Sequence, residues 1–236
     1  MKTTLYPSNS RGKADHGWLH TRFSFSFSEY YDPARIHFGM LRVINDDIID
    51  GGGGFPMHPH ENMEIITIPM KGALRHTDSM GNTGLIGENE IQVMSAGTGI
   101  LHAEFNDSKS EIVSLFQIWI FPEQENIKPR YDQKKFDLAL FDNSIFTVVS
   151  PDGTGDSLMI NQQAWLSLGR FEKETTVNYQ LKRKGNGVFL LVIEGYVTVN
   201  NIKLEHRDAL EISETDEFEM KIGSDSQLLL IDVPMR

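Results

Sequence analysis

The stretch IITIPMKGALRHTDSMGNTGLIGENEIQVM, residues 65–94, alternates strands and turns. An apolar run, a glycine and a second short strand lead into a polar turn, a third strand, an acidic turn and a fourth strand. Residues 188–212, VFLLVIEGYVTVNNIKLEHRDALEI, follow the same order with shorter turns. Gly195 stands where Gly72 does, and LEHRDALEI stands where IGENEIQVM does. One hairpin unit used twice implies two tandem β-barrels of about 100 residues each. Further strand-like runs extend the pattern: FSFSF (23–27), MEIITIPM (63–70), IVSLFQIWIF (112–121), FTVVS (146–150) and SQLLLIDVP (226–234). Clusters of Gly, Asn, Asp and Pro separate them, so the fold class is all-β. DQKKFDLALF (132–141) reads instead as a short helix. The polar, Pro-containing PEQENIKPRYDQ (122–133) ends the first unit and divides the chain into 1–133 and 134–236.

Composition narrows the function classes. The 236 residues are 39% apolar and 23% charged, as in ordinary globular proteins, and the net charge is -11. Such an acidic surface repels phosphate backbones and anionic lipid, which argues against direct nucleic-acid or membrane binding. With no cysteine, disulfides, thiolate metal sites and cysteine nucleophiles are excluded. No signal-peptide or membrane-spanning run is evident, so a cytoplasmic location is expected. No motif specifies an oligomeric state. G-x-S-x-G and G-K-[ST] are absent, which leaves serine-nucleophile and phosphate-loop chemistry without support.

The chemistry sits in GGGGFPMHPHENMEIITIP (51–69) and GTGILHAEFN (97–106). Residues two apart on a strand share a face, so His58 and His60 project together while Pro59, which fixes its own φ, points away and stiffens the pair. The same parity extends to Asn62 and Glu64. Four consecutive inward polar residues require a strong partner such as a metal. His102 and Glu104 form a second i, i+2 pair, with Asn106 on the same side. Two adjacent barrel strands could unite three neutral imidazoles with one carboxylate, a donor set for a divalent first-row metal that leaves positions open on the ion. His16, His20, His37 and His206 read as surface or internally satisfied histidines, and His76 as a residue approaching a pocket mouth. The second unit has nothing corresponding to HPHENME, so it is expected to hold no metal.

Several stretches resemble the pirins, bicupin members of the cupin superfamily, and in particular the bacterial pirin-like proteins with quercetin 2,3-dioxygenase activity. They are DHGWLHTRFSFSFSEYYDP (15–33), FGMLRVINDD (38–47), GFPMHPHENMEIITIPMKGALRHTDSMGN (54–82), ENEIQVMSAGTGILHAEFN (88–106) and LFQIWIFPEQENIKPRYDQKKF (115–136). The C-terminal half shares a looser pattern. The resemblance implies two jelly-roll cupin barrels, with a metal-binding barrel first. It places the ligands at His58, His60, His102 and Glu104 and makes Asn62 and Glu64 candidates for supporting the ligands. Ser95 stands where the general cupin motif has proline.

The implied activity is cleavage of a flavonol such as quercetin by dioxygen with release of carbon monoxide. The implied cofactor is one divalent transition metal, Fe(2+) first, with Mn, Ni, Co, Cu or Zn as alternatives. Glu104 would accept the substrate's hydroxyl proton. The expected partners are thus a small aromatic substrate and dioxygen. The resemblance also implies an alternative: an iron-binding, redox-sensing regulator acting through a protein partner.

Overall fold

The computed structural model describes residues 1–236. The first half contains β1 (Lys2–Tyr6), β2 (Gly12–Asp15), β3 (Leu19–Phe23), β4 (Leu41–Ile49), β5 (Gly54–His60), β6 (Glu64–Lys71), β7 (Leu74–Asp78), β8 (Thr83–Ile86), β9 (Glu90–Ser95), β10 (Ile100–Asn106), β11 (Val113–Ile120) and β12 (Arg130–Lys135). The second contains β13 (Ser144–Ser150), β14 (Leu158–Met159), β15 (Trp165–Phe171), β16 (Thr175–Gln180), β17 (Asn186–Glu194), β18 (Val197–Val199), β19 (Ile202–Leu204), β20 (Ala209–Ser213), β21 (Glu217–Ile222) and β22 (Ser226–Pro234). Each half pairs a large sheet with a small one. The first has the seven-stranded β12-β9-β6-β11-β4-β3-β2 and the four-stranded β5-β10-β7-β8. The second has β1-β20-β17-β22-β15-β13-β14 and β16-β21-β18-β19. This is the two-barrel, all-β architecture that the repeat implied. No helix is long and apolar enough to cross a membrane.

Strand periodicity explains how the halves join. In β11, Phe116, Ile118 and Ile120 face outward from the first barrel; in β4, β6 and β9 so do Ile44, Ile66, Ile68, Ile91 and Val93. These residues pack with Phe189, Leu191, Leu229, Ile231 and Val233 of the second half in one apolar core of 27 buried residues. The central strands of the two large sheets are therefore buried on both faces, which is why strands such as β6, β11, β17 and β22 read as near-continuous apolar runs. The interior of the second barrel is a separate apolar cluster that includes Val188, Leu190, Val192, Leu210, Leu228 and Leu230.

At the edge of this junction Asp46 accepts from Arg11 at 3.5 Å and forms an ion pair with Arg207 of the second half at 3.6 Å. Arg207 also lies over the Phe116 ring, 4.8 Å from its centroid. The Arg11 side chain is almost fully buried, so Asp46→Ala would strand a buried guanidinium. It is expected to cost roughly 3 kcal/mol, read as a lower denaturant midpoint with unchanged slope.

Several expectations are corrected. Residues 132–141 are no helix: β12 pairs along its length with β9, from Arg130 opposite Ser95 to Lys135 opposite Glu90. Only a 3-10 turn, Leu138–Phe141, follows it, capped by the Asp137 side chain. Long-range pairing has overridden a local helical pattern. FSFSF is not a strand either, because β3 ends at Phe23. Two strands also depart from the division at 133: β12 runs through it, and β1 crosses to the second half to pair with β20.

Candidate metal centre

The two histidine motifs lie on adjacent antiparallel strands, β5 and β10, with His58 opposite His102 and His60 opposite Ile100. Between His102 and Glu104 the register shifts, so that Glu104 stands opposite Phe55. This bulge bends the ladder and re-aims its side chains. Gly54 permits the close approach, since an added Cβ would collide with Phe105 and the Glu104 carbonyl. Pro59 is exposed on the far face, as strand parity requires. The imidazoles form a triangle, with ring centroids 4.4 Å apart for His58 and His102, 4.8 Å for His60 and His102, and 4.9 Å for His58 and His60.

Their electrostatics suit metal ligation. Burial, then the neighbouring imidazoles, lowers the pKa of His102 to about 2; burial and His58 lower that of His60 to about 4. Both rings are neutral near pH 7 and keep a lone pair. The Nδ1–H of His58 donates to the Pro56 carbonyl at 2.8 Å, which leaves Nε2 free. His102 is only 1% exposed, yet neither ring nitrogen has a hydrogen-bond partner. An orphaned, neutral, buried imidazole beside two others fits a borderline-soft divalent ion.

Glu104 is also buried. Gln117 Nε2 donates to its Oε2 at 2.7 Å and Thr67 Oγ1 to its Oε1 at 3.4 Å. Burial pushes its carboxyl up to about 7. Possible donor groups fall into two overlapping trios, His58–His60–His102 and His76–His102–Glu104, with the ligand atoms of each within 4.8 Å of one another. Glu104 thus joins the triangle through His102, and His76 joins with it. His76 is wholly buried, not at a pocket mouth. It stands opposite Glu104 in register, stacks 4.5 Å from Tyr131, and has Nε2 3.4 Å from Asp78. The spacing of His76 and Asp78, the same i, i+2 grammar as HPH, is the signal that could have found it.

Asn62 and Glu64 leave the site. Asn62 takes a left-handed backbone (φ 47°) and turns the chain out of the small sheet, so the parity of His58 and His60 ends there. Its side-chain Oδ1 accepts from the Asn126 backbone amide at 2.7 Å. Glu64 opens β6 in the large sheet, where it accepts from Ser95 Oγ at 2.8 Å and from the Asn161 amide at 3.1 Å. Neither lines the cavity described next.

The imidazoles open into a cavity of about 410 Å³, within the usual size of small-molecule sites. Its walls are aromatic and aliphatic, with Trp18, Phe23, Phe27, Phe55, Ile65 and Trp119. Trp119 stands edge-on to His60, with centroids 4.8 Å apart. A polar floor of Thr21, Asn45, Asp47 and Gln117 completes it, and His16, exposed as expected, also lines it. The only trace of this floor in the sequence is the polar pair Asn45 and Asp47, two apart in LRVINDDII. His20, His37 and His206 stay outside, on Asp15, the Gly39 carbonyl and Glu194 respectively.

Comparison with known proteins agrees with this architecture. The Pirin family model matches residues 5–120, and the model of the quercetinase C-terminal cupin domain matches residues 147–233. The quercetin 2,3-dioxygenase of Escherichia coli (strain K12) is 43% identical over 230 residues, 98% of each chain. The chain belongs to the pirin family. A pirin-like protein of Caulobacter vibrioides is 38% identical over 227 residues, 96% of this chain and 97% of that one. The crystal structure of the bacterial pirin YhhW of Escherichia coli in complex with nickel(II) superposes with a TM-score of 0.93 at 41% identity, covering 99% of both chains. A metal-bound relative this similar accords with the orphaned imidazole of the present pirin fold.

Proposed function

We propose that the chain is a metal-dependent dioxygenase that cleaves a flavonol such as quercetin and releases carbon monoxide. In this reading His58, His60, His102 and Glu104 hold one divalent metal, Fe(2+) in the first instance. The observation that carries it is three clustered imidazoles and a buried carboxylate opening onto an aromatic-walled cavity. The full-length likeness to a quercetin 2,3-dioxygenase supports the substrate class.

When bound, the metal supplies Lewis acidity and a template for substrate and dioxygen. The protein's own residues do the rest. Trp18, Phe55 and Trp119 offer flat apolar faces to a fused aromatic ring and keep water away. Glu104, ionised when it holds the metal, is the positioned carboxylate that accepts the proton of the flavonol 3-hydroxyl. Gln117 and Thr67 hold the carboxylate in place through their hydrogen bonds to it.

The test is metal analysis of protein purified without added metal, followed by oxygen uptake and carbon monoxide release with quercetin. The expected result is one carbon monoxide per dioxygen consumed. No uptake with any flavonol, combined with capture of a protein partner that depends on the metal's oxidation state, would favour the regulatory function instead.

A further inference from the structure

The cavity floor makes a demand that metal binding does not meet. Thr21 stands opposite Asp47 on β3 and β4, and Gln117 opposite Asn45 on β11 and β4, so four polar side chains form one patch. They are 5%, 3%, 7% and 6% exposed respectively. Thr21 Oγ1, Asp47 Oδ1, Gln117 Oε1 and Asn45 Oδ1 are all buried without a hydrogen-bond partner. Buried polar atoms are nearly always paired, so four orphans on residues that line one cavity indicate a missing partner. Carboxylate and amide oxygens are acceptors and a threonine hydroxyl can be either, so the complement is a ligand carrying several O–H donors. The aromatic walls require that ligand to be flat and apolar elsewhere.

We propose that Thr21, Asn45, Asp47 and Gln117 form a subsite that reads phenolic hydroxyl groups, so that the protein selects polyhydroxylated rings over bare ones. This rests on the flavonol reading given above and adds a specificity determinant to it. Asp47 is the residue to change, because Gln117 also holds Glu104. A hydrogen-bonding site discriminates strongly against a ligand lacking the hydroxyl, because its own polar atoms are then left unpaired.

The experiment compares quercetin with 3-hydroxyflavone, which keeps the metal-binding hydroxyl and lacks the others. Binding is followed anaerobically on the metal-loaded protein through quenching of Trp18 and Trp119, and kcat/KM is measured separately in air. Wild type is expected to prefer quercetin by about 10- to 100-fold in Kd, the worth of one or two buried hydrogen bonds. Asp47→Leu should collapse that ratio towards one, Thr21→Val should reduce it, and the isosteric Asp47→Asn should keep most of it. Melting temperatures confirm folding of each variant. Equal wild-type affinities overturn the subsite, as does an Asp47→Leu protein that loses both ligands in the same proportion. In either case the flavonol reading survives. Wild type that binds neither compound and consumes no oxygen overturns the flavonol reading, and the subsite with it.

Discussion

His102→Ala is expected to leave a folded protein that retains no metal after dialysis and turns over quercetin more than about 100-fold more slowly. Residues that merely orient metal ligands already cost about 10- to 100-fold when removed, so a ligand should exceed that range. His102 is the vertex shared by both donor trios, and its buried nitrogens have no other partner to lose. The alanine variant therefore sacrifices ligation with little else. Glu104→Ala should show the same pair of losses through the carboxylate, although Gln117 and Thr67 would also lose their acceptor. Metal analysis beside oxygen uptake makes the check. Full occupancy with undiminished activity in either variant would sink the ligand assignment.

The second large effect is in pH. Burial raises the Glu104 carboxyl from 4.5 to about 7, whereas metal binding needs it ionised. The metal-free fold therefore binds a proton that the unfolded chain has released between those values. Its stability falls as pH rises from 4.5 to about 7 and levels off above that. The shift corresponds to roughly 3 kcal/mol at most. Metal affinity moves the other way, rising with pH until the carboxyl has ionised. Near pH 6, binding should release about one proton from Glu104. Calorimetric titration in two buffers of different ionisation heat measures it, and Glu104→Gln should release one proton fewer. The same variant should melt at a higher temperature than wild type at pH 8 without metal and gain less from adding it. Equal proton release by the two proteins would show that the carboxyl is already ionised in the metal-free state.

What was legible in the sequence was legible because it is local. The alternation of His58 with His60 and of His102 with Glu104 depends only on strand parity, so each pair is readable without knowledge of any contact. The repeated order of strands and turns likewise carries the two-barrel architecture in its own spacing. Parity fails wherever the chain turns. Asn62, with its left-handed backbone, separates Glu64 from the histidines, and nothing in HPHENME announces that turn.

The sequence by itself determined an all-β chain with two barrels and the residues that can ligate a metal in the first of them. Only the tertiary structure decided which residues surround that site. The β10–β7 pairing brings His76 to Glu104, and the packing of β3, β4 and β11 gathers Thr21, Asn45, Asp47 and Gln117 from segments nearly 100 residues apart into one floor. It also turned a helix-like stretch into β12 and sent β1 to the other barrel. The physical reason is the same in each case. A strand's faces follow from its own alternation, but its neighbours and register follow from which other strand supplies its hydrogen bonds.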